Sequence, residues 1–420
     1  MPGKPAPARA AAILLAVAFA ASAPAEDAEP PSVVPGNSAF AFDLFARLRL
    51  EPGNLFVSPY SISTALAMTY AGARGETAAE MARVMHFDLP QEKLHPAMGA
   101  LIRALNERTI QAQWKSDPDA GKKPYEMVVA NALWGQQGYP FEPAFLDGVQ
   151  AHYGGGFQPL DFRADPEVAR RAINAWVAKK TADKIRELLA AGQVTSDARL
   201  VLTNAIYFKS AWDEPFQERA TQPAPFHLGR DRSQDVPTMH RSGHLGFVEE
   251  PSFWAVELPY QRGELAMIFL VPKDADGLPS LEQGLTADRV QATIASLKPE
   301  WVALALPRFK FSARFVLNDA LQALGMKQAF GFPAADFSGI SPTRELFIGF
   351  VIHQAYVDVH EQGTEAAAAT AVGMRAGGVP PPPKPVKIDR PFLFLIRDQA
   401  SGSILFLGRV ADPGGDGRSH

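Results

Sequence analysis

Eight runs of this chain read as β-strands: Glu126 to Trp134, Leu200 to Phe208, Phe253 to Pro259, Glu264 to Val271, Trp301 to Pro307, Gln354 to Val359, Phe392 to Arg397 and Ile404 to Val410. Several of them are apolar on both faces. A strand that hides both faces cannot border solvent, so it is a central strand of a sheet covered on each side. The chain must therefore supply covering helices. Ser38 to Leu50 has amphipathic spacing, with Phe40, Phe42, Leu44, Phe45 and Leu48 apolar. Ser58 to Ala71 is a mostly apolar helix in which Ser58 offers an N-cap, Pro59 fits the first turn, and Gly72 and Gly75 end the run. Ile173 to Ala190 is a third helix, with Ile173, Trp176 and Val177 on one face. Between residues 38 and 411 no break is long or polar enough for an interdomain linker, which gives one large α+β domain.

The 420 residues are 47% hydrophobic and 10% aromatic, ample for a packed core. A net charge of −4, with basic residues scattered rather than striped, excludes nucleic acid as a partner. The first residues differ from the rest. Lys4 and Arg9 precede an apolar run from Ala10 to Ala21, followed by SAPAED. That order reads as a secretory signal peptide cut after Ala25, the alternative being a disordered Ala/Pro tail. The run is too short to span a bilayer, and no membrane association is expected. With no cysteine in the chain there is neither a disulfide framework nor a lipid-anchored thiol. Export without cysteine suits a bacterial periplasmic or extracellular protein. The expected organisation is a signal peptide over 1–25, a flexible segment over 26–37, the folded domain over 38–413 and a flexible tail over 414–420.

Catalytic motifs fail one after another. There is no G-x-S-x-G, and Ser296-Leu297-Lys298 lacks the spacing of S-x-x-K. His360-Glu361 begins like H-E-x-x-H, but Thr364 stands where a second zinc-ligating imidazole is required. His353, inside the apolar run FVIHQAYV, reads better as a satisfied core histidine than as a catalytic one. No enzymatic activity, metal or cofactor is expected.

One segment remains unexplained. Glu361 to Gly378 reads EQGTEAAAATAVGMRAGG, alanines that favour helix enclosed by glycines that do not, with Pro380 to Pro383 just beyond. Taken alone it is equally a small-residue linker. Its surroundings decide the matter, because NLFVSPYSISTALAMTYAGARGETAAEM, VVANALWGQQGYPFEPAFL, INAWVAKKTADKI, LTNAIYFKSAWDEPF, LPYQRGELAMIFLVP, LPRFKF, ADFSGIS, EQGTEAAAATAV and PFLFLIRDQASGSILFLGRVADP occur in one order over residues 38 to 413. In these stretches the chain resembles the serpins. Departures are small: Gln362 stands where an acidic residue is usual, FIGFVIHQA is looser than the common form, and Gln111 to Lys123 is a polar insertion.

The resemblance implies a single-domain serpin fold with a central, mainly antiparallel sheet, additional sheets, surrounding helices and an exposed reactive loop at about residues 361–390. It further implies a suicide inhibitor of serine, or alternatively cysteine, proteases, monomeric, whose loop is cleaved as bait and then inserts into the central sheet. Strand parity tests the loop's fitness for this. Thr364, Ala366, Ala368, Thr370 and Val372 form one uncharged, small or β-branched set, and Glu365, Ala367, Ala369 and Ala371 form the other. The expected hinge is therefore Glu361, Gly363, Thr364, Glu365, Ala366, Ala367, Ala368 and Ala369. By resemblance Ser58, Asn204 and His353 form a polar cluster beneath the sheet where strands part, and Trp212 marks the start of insertion. Those residues read equally as ordinary core polar groups. Counting fourteen residues from Gly363 (377 − 363) and fourteen back from Pro391 (391 − 377) places the reactive bond at Gly377-Gly378, which suits an elastase- or subtilisin-like protease. The alternative bond is Arg375-Ala376, suiting a trypsin-like enzyme. A rival reading, a non-inhibitory carrier, chaperone or storage serpin, calls for bulky, charged or proline residues at the inward hinge positions, and none is present. A basic glycosaminoglycan-type helix is not evident between Leu94 and Lys123.

Overall fold

The computed structural model describes residues 32–108, 125–154, 156–365 and 382–415. In chain order its strands are β1 (Leu55–Val57), β2 (Glu126–Gln136), β3 (Phe157–Leu160), β4 (Leu200–Ala211), β5 (Gln222–Gly229), β6 (Arg232–Glu249), β7 (Phe253–Pro259) and β8 (Leu265–Pro272). These are followed by β9 (Lys298–Pro307), β10 (Phe309–Val316), β11 (Ile352–His360), β12 (Gly363–Thr364), β13 (Lys384–Lys387), β14 (Phe392–Asp398) and β15 (Ile404–Val410). One sheet runs β1-β15-β14-β8-β7-β6-β9-β13, with β5 on β6. The other, which carries the site, runs β10-β11-β12-β4-β2-β3, and below the short β12 its neighbours β11 and β4 pair directly and in parallel.

Helices α1 (Val34–Leu48), α2 (Pro59–Tyr70), α3 (Gly75–Met85), α4 (Gln91–Asn106), α5 (Pro143–Tyr153) and α6 (Pro166–Lys180) surround the sheets. Every residue of α2 is buried, so it serves as the central pillar between the sheets. Its start is set as the sequence indicates: the Ser58 hydroxyl accepts from the Ser61 N–H, and Pro59 occupies a position whose own N–H would have had no helical partner. The larger core joins α1, α2, β8, β14 and β15 to the inner face of the central sheet. A second core lies on the opposite face. There Ile173 and Val177 of α6, together with Ile185, Leu188, Leu189 and Val194, pack on Ala130, Ala132, Ala205 and Ile352. The central sheet is thus covered on both faces, as its apolar strands require.

Two helix expectations need correction. The first helix starts at Val34 rather than Ser38 and ends at Leu48. The third spans Pro166–Lys180, not 173–190: Asp165 caps it by accepting from the Glu167 and Val168 N–H groups, and Ala182 and Asp183 leave the helical region at φ 47° and 62°. The apolar spacing beyond Lys180 belongs to an irregular segment lying on the sheet. The expected insertion over 111–123 falls outside the described residues.

Candidate functional site

The hinge of the suspected loop is already part of the sheet. Thr364 pairs with Val359 of β11 on one side and Ser210 of β4 on the other, both antiparallel, and Gly363 pairs with His360 and Ala211. Gly363 has φ 149°, and a Cβ built on it would lie 2.1 Å from the Ser210 carbonyl oxygen, so glycine is required both for conformation and for the approach of β4. Thr364 is 1% exposed; its hydroxyl shares a hydrogen bond of 2.7 Å with the Tyr260 hydroxyl, and Tyr260 stacks on Trp212 at 4.5 Å. Burial raises the Tyr260 phenol far above its ordinary pKa, so it stays neutral beside the hinge.

Trp212 anchors the stretch before the hinge. Its backbone N–H donates to the Gln362 carbonyl at 3.0 Å and its indole N–H to the His360 carbonyl at 2.9 Å. Glu361 is buried, accepting from Arg308 at 2.8 Å and from the Thr221 hydroxyl. Burial alone would push the Glu361 carboxyl up, but those hydrogen bonds outweigh it and hold the group below its usual range. Glu365 leaves the sheet at φ 52°; its N–H donates to the Asp358 carbonyl at 3.0 Å and its carboxylate pairs with Lys184. Thr364 therefore faces the inner core and Glu365 the outer face, as the expected alternation demands. Ala366, Ala367, Ala368 and Ala369, the bond Gly377-Gly378 and its alternative Arg375-Ala376 lie outside the described residues.

Below the hinge the polar cluster is assembled by strand register. Asn204 of β4 stands beside His353 of β11 and beside Asn131 of β2. His353 is fully buried; its Nε2 accepts from the Ser58 N–H at 3.0 Å, which leaves Nδ1 to carry the proton and donate to Asn204 Oδ1. Asn204 donates in turn to Ser61 Oγ at 2.8 Å and Asn131 Oδ1 at 2.7 Å, while the Ser58 hydroxyl donates to the Leu405 carbonyl at 2.6 Å. Burial lowers the His353 pKa to about 3, keeping the imidazole neutral. Ser58, Asn204 and His353 thus form one network tying α2 to the seam between β4 and β11. Trp212 stands apart from it, at the upper end of that seam. Ser61, Asn131, Tyr260 and Arg308 complete the arrangement; all four lie in stretches that carry the resemblance, but nothing local in those stretches singles them out.

His353 and Tyr260 are buried and held neutral, and among the described residues no cluster of three potential metal ligands occurs. No helix among them is long and apolar enough to cross a membrane. What the arrangement can do is mechanical: a strand seated for two residues sits above a seam held by neutral hydrogen bonds.

Two outcomes are expected. Replacing Thr364 with arginine puts an unpaired charge against Tyr260 and unseats the two-residue strand, so amide exchange over residues 361–365 should quicken by about tenfold, read by hydrogen-exchange mass spectrometry. Since the His353 pKa falls from about 6.5 unfolded to about 3 folded, the unfolded state binds more protons between those values, and stability is lost as pH drops through that window. Melting midpoints of His353→Gln should fall less steeply than wild type between pH 6.5 and 4, against a limiting dependence of about 1.4 kcal/mol per pH unit.

The family described as Serpin (serine protease inhibitor) matches residues 35–413. The human leukocyte elastase inhibitor is 40% identical over 390 residues, covering 90% of this chain and 98% of that protein. An uncharacterized serpin-like protein of the archaeon Thermococcus kodakarensis is 38% identical, covering 92% and 87%. Among solved structures, uncleaved ovalbumin superimposes with a TM-score of 0.79 at 28% identity, covering 91% of this chain and all of that one. A highly specific serpin of the insect Tenebrio molitor gives 0.76 at 29%, covering 90% and 97%.

Proposed function

Since the chain belongs to the serpin family, we propose that it is a suicide inhibitor of serine proteases whose cleaved loop completes the central sheet. The observation that carries this reading is the seating of Gly363 and Thr364 between β11 and β4 with both ladders antiparallel. Continuing that register is simple arithmetic. Loop and β4 partners sum to 574 (363 + 211), and loop and β11 partners to 723 (363 + 360). Thr370 then arrives opposite Asn204 (574 − 370) and His353 (723 − 370), between the two residues whose hydrogen bond must break. Its hydroxyl can replace the partner each loses, and it is the one polar residue after Thr364 in the inward set. Val372 comes opposite Leu202, and Met374 opposite Leu200 at the end of β4. That end opens on a cavity lined by Thr69, Leu200, Leu202, Ile340 and Phe350, fit for apolar side chains.

In this reading the target protease's own serine attacks the loop carbonyl and forms an acyl-enzyme. Insertion carries the protease to the far end of the sheet before water releases it. The inhibitor itself supplies no catalytic group, and it is consumed. Because β4 accepts the chain only as far as Met374, a cut after Gly377 leaves three residues between strand end and acyl bond, whereas a cut after Arg375 leaves one. That favours Gly377-Gly378. Small residues at Ala376 and Gly377 suit a protease with a shallow pocket, and the name of the human relative points to an elastase-like enzyme. Export is part of the proposal, supported by Lys4, Arg9, the apolar run to Ala21 and the small residues to Ala25.

The test is incubation of the protein without residues 1–25 with elastase-, subtilisin- and trypsin-like proteases. A covalent complex stable to boiling in detergent is expected with an elastase-like enzyme, releasing a C-terminal peptide that begins at Gly378 by mass. A peptide beginning at Ala376 from an efficiently trapped trypsin-like enzyme moves the bond, and cleavage by all three without any complex overturns inhibition in favour of a non-inhibitory role. Loop-cleaved protein should also melt well above the intact form, because the added strand gains about 0.5–1.5 kcal/mol per hydrogen bond.

A further inference from the structure

Lys184 lies in the tight turn that follows α6, just past the C-cap Thr181, whose N–H still bonds the Val177 carbonyl, where the chain crosses onto the outer face of the central sheet. The Thr181 hydroxyl fastens this turn, donating to the Val177 carbonyl at 2.9 Å and accepting from the Ile185 N–H at 3.2 Å. Beyond it, Ile185, Leu188, Leu189 and Val194 are buried against the sheet, and Arg314 of β10 donates to the Leu188 carbonyl at 3.1 Å and to Gln193 Oε1 at 3.0 Å. The turn is therefore held from both ends. From it the Lys184 ammonium pairs with the Glu365 carboxylate while lying over the Tyr356 ring at 5.2 Å from its centroid.

Among the described residues, three of the six non-glycine residues with positive φ lie at or beside this ion pair: Glu365 at 52° belongs to it, and Ala182 at 47° and Asp183 at 62° directly precede Lys184. Such conformations persist where surrounding contacts over-determine them: the turn at Ala182 and Asp183 is held by the Thr181 hydroxyl and by the Asp183 N–H donating to the Ala178 carbonyl at 2.8 Å, and Glu365 is held by Lys184 and by the Asp358 carbonyl. The pair forms at the residue where the loop leaves the sheet. Glu365 faces outward as an extended strand residue at that position also would, so Lys184 can keep its partner when the loop advances into the seam. If the hinge withdraws, the partner is lost. The pair thus favours the seated hinge over the withdrawn one without opposing insertion.

We infer that Lys184 is a positioning residue for inhibition: by holding Glu365 it keeps Gly363 and Thr364 seated between β4 and β11, so that cleavage releases a strand already started. This rests on the inhibitory reading above, but the seating can be measured without any protease. In intact Lys184→Gln, amide exchange over residues 361–365 should quicken by about threefold, while exchange over 185–194 stays as in wild type. Raising salt from about 0.05 to about 0.5 M should quicken the wild-type hinge and leave the variant unchanged. Lys184→Arg should restore wild-type exchange. With the trapped protease, Lys184→Gln should need about twice as many inhibitor molecules per complex, the unseeded loop losing more often to hydrolysis. Unchanged exchange at the hinge overturns the inference, as does faster exchange throughout 185–194, which would make Lys184 a packing residue of the cover. Should wild type trap no protease, the inhibitory reading falls, while the exchange data still decide whether Lys184 seats the hinge.

Discussion

The parallel pairing of β4 with β11 is the contact on which the rest of this molecule depends. It consists of four registered pairs, from Ile352 with Thr203 to Ala355 with Ile206, in the middle of the central sheet. Parallel ladders are somewhat less stable per residue than antiparallel ones. A strand entering between β4 and β11 in the direction of Gly363-Thr364 replaces this one parallel ladder with two antiparallel ladders. The closed sheet is therefore the less favourable arrangement, and it persists because parting the strands requires breaking the His353–Asn204 hydrogen bond between two residues fully buried from solvent. Drive and restraint reside in the same seam.

Covering both faces of that seam makes the restraint effective. Beneath it, α2 joins the network through the Ser58 backbone and the Ser61 hydroxyl. Above it, the irregular segment after α6 lies on Ala205 and Ile352, one residue from each strand of the pair. Opening therefore moves groups in two packed cores at once, and close-packed interiors change between discrete arrangements rather than deforming smoothly. The hinge meets this barrier at its upper edge, where Trp212, Tyr260 and Thr364 are stacked and bonded in a line.

How much of this was legible in the sequence follows the physics of each element. Phe253–Pro259 and Ile404–Val410 have the bounds their apolar runs indicate, because each is bracketed by residues unable to continue the pattern. The eighteen residues of β6 escaped notice although the strand is paired along both sides, since a strand that alternates buried with solvated side chains has too few apolar residues to stand out. The overlong third helix has another cause. Ala182 and Asp183 hold left-handed conformations with no glycine or proline to announce them, and Ile185 and Leu188 continue a helical spacing while packing from an irregular chain. Within the site, Ser58, Asn204 and His353 were placed by resemblance. Ser61, Asn131 and Tyr260 were not, because their partners are set by register across β2, β4 and β11 and by stacking, which no local pattern encodes.

The two glutamates of the hinge show how a loop can be held in place and still be ready to move in one direction. Glu361 is buried and accepts from the Thr221 hydroxyl and from Arg308, whose own side chain is 43% exposed, so the start of the loop cannot retreat without stripping a buried carboxylate of its hydrogen bonds. Glu365 has the opposite character: its backbone is strained, at a cost of about 1 kcal/mol or more, and the strain disappears if the residue becomes extended. Extension at Glu365 is what the next step of insertion requires. Anchored behind and strained ahead, the chain between them has only one relaxed continuation, which is into the sheet. On the proposed reading, the small side chains from Ala366 to Ala369 suit a strand that must enter between β4 and β11 past side chains packed on both faces, a demand that propensity for helix does not reflect.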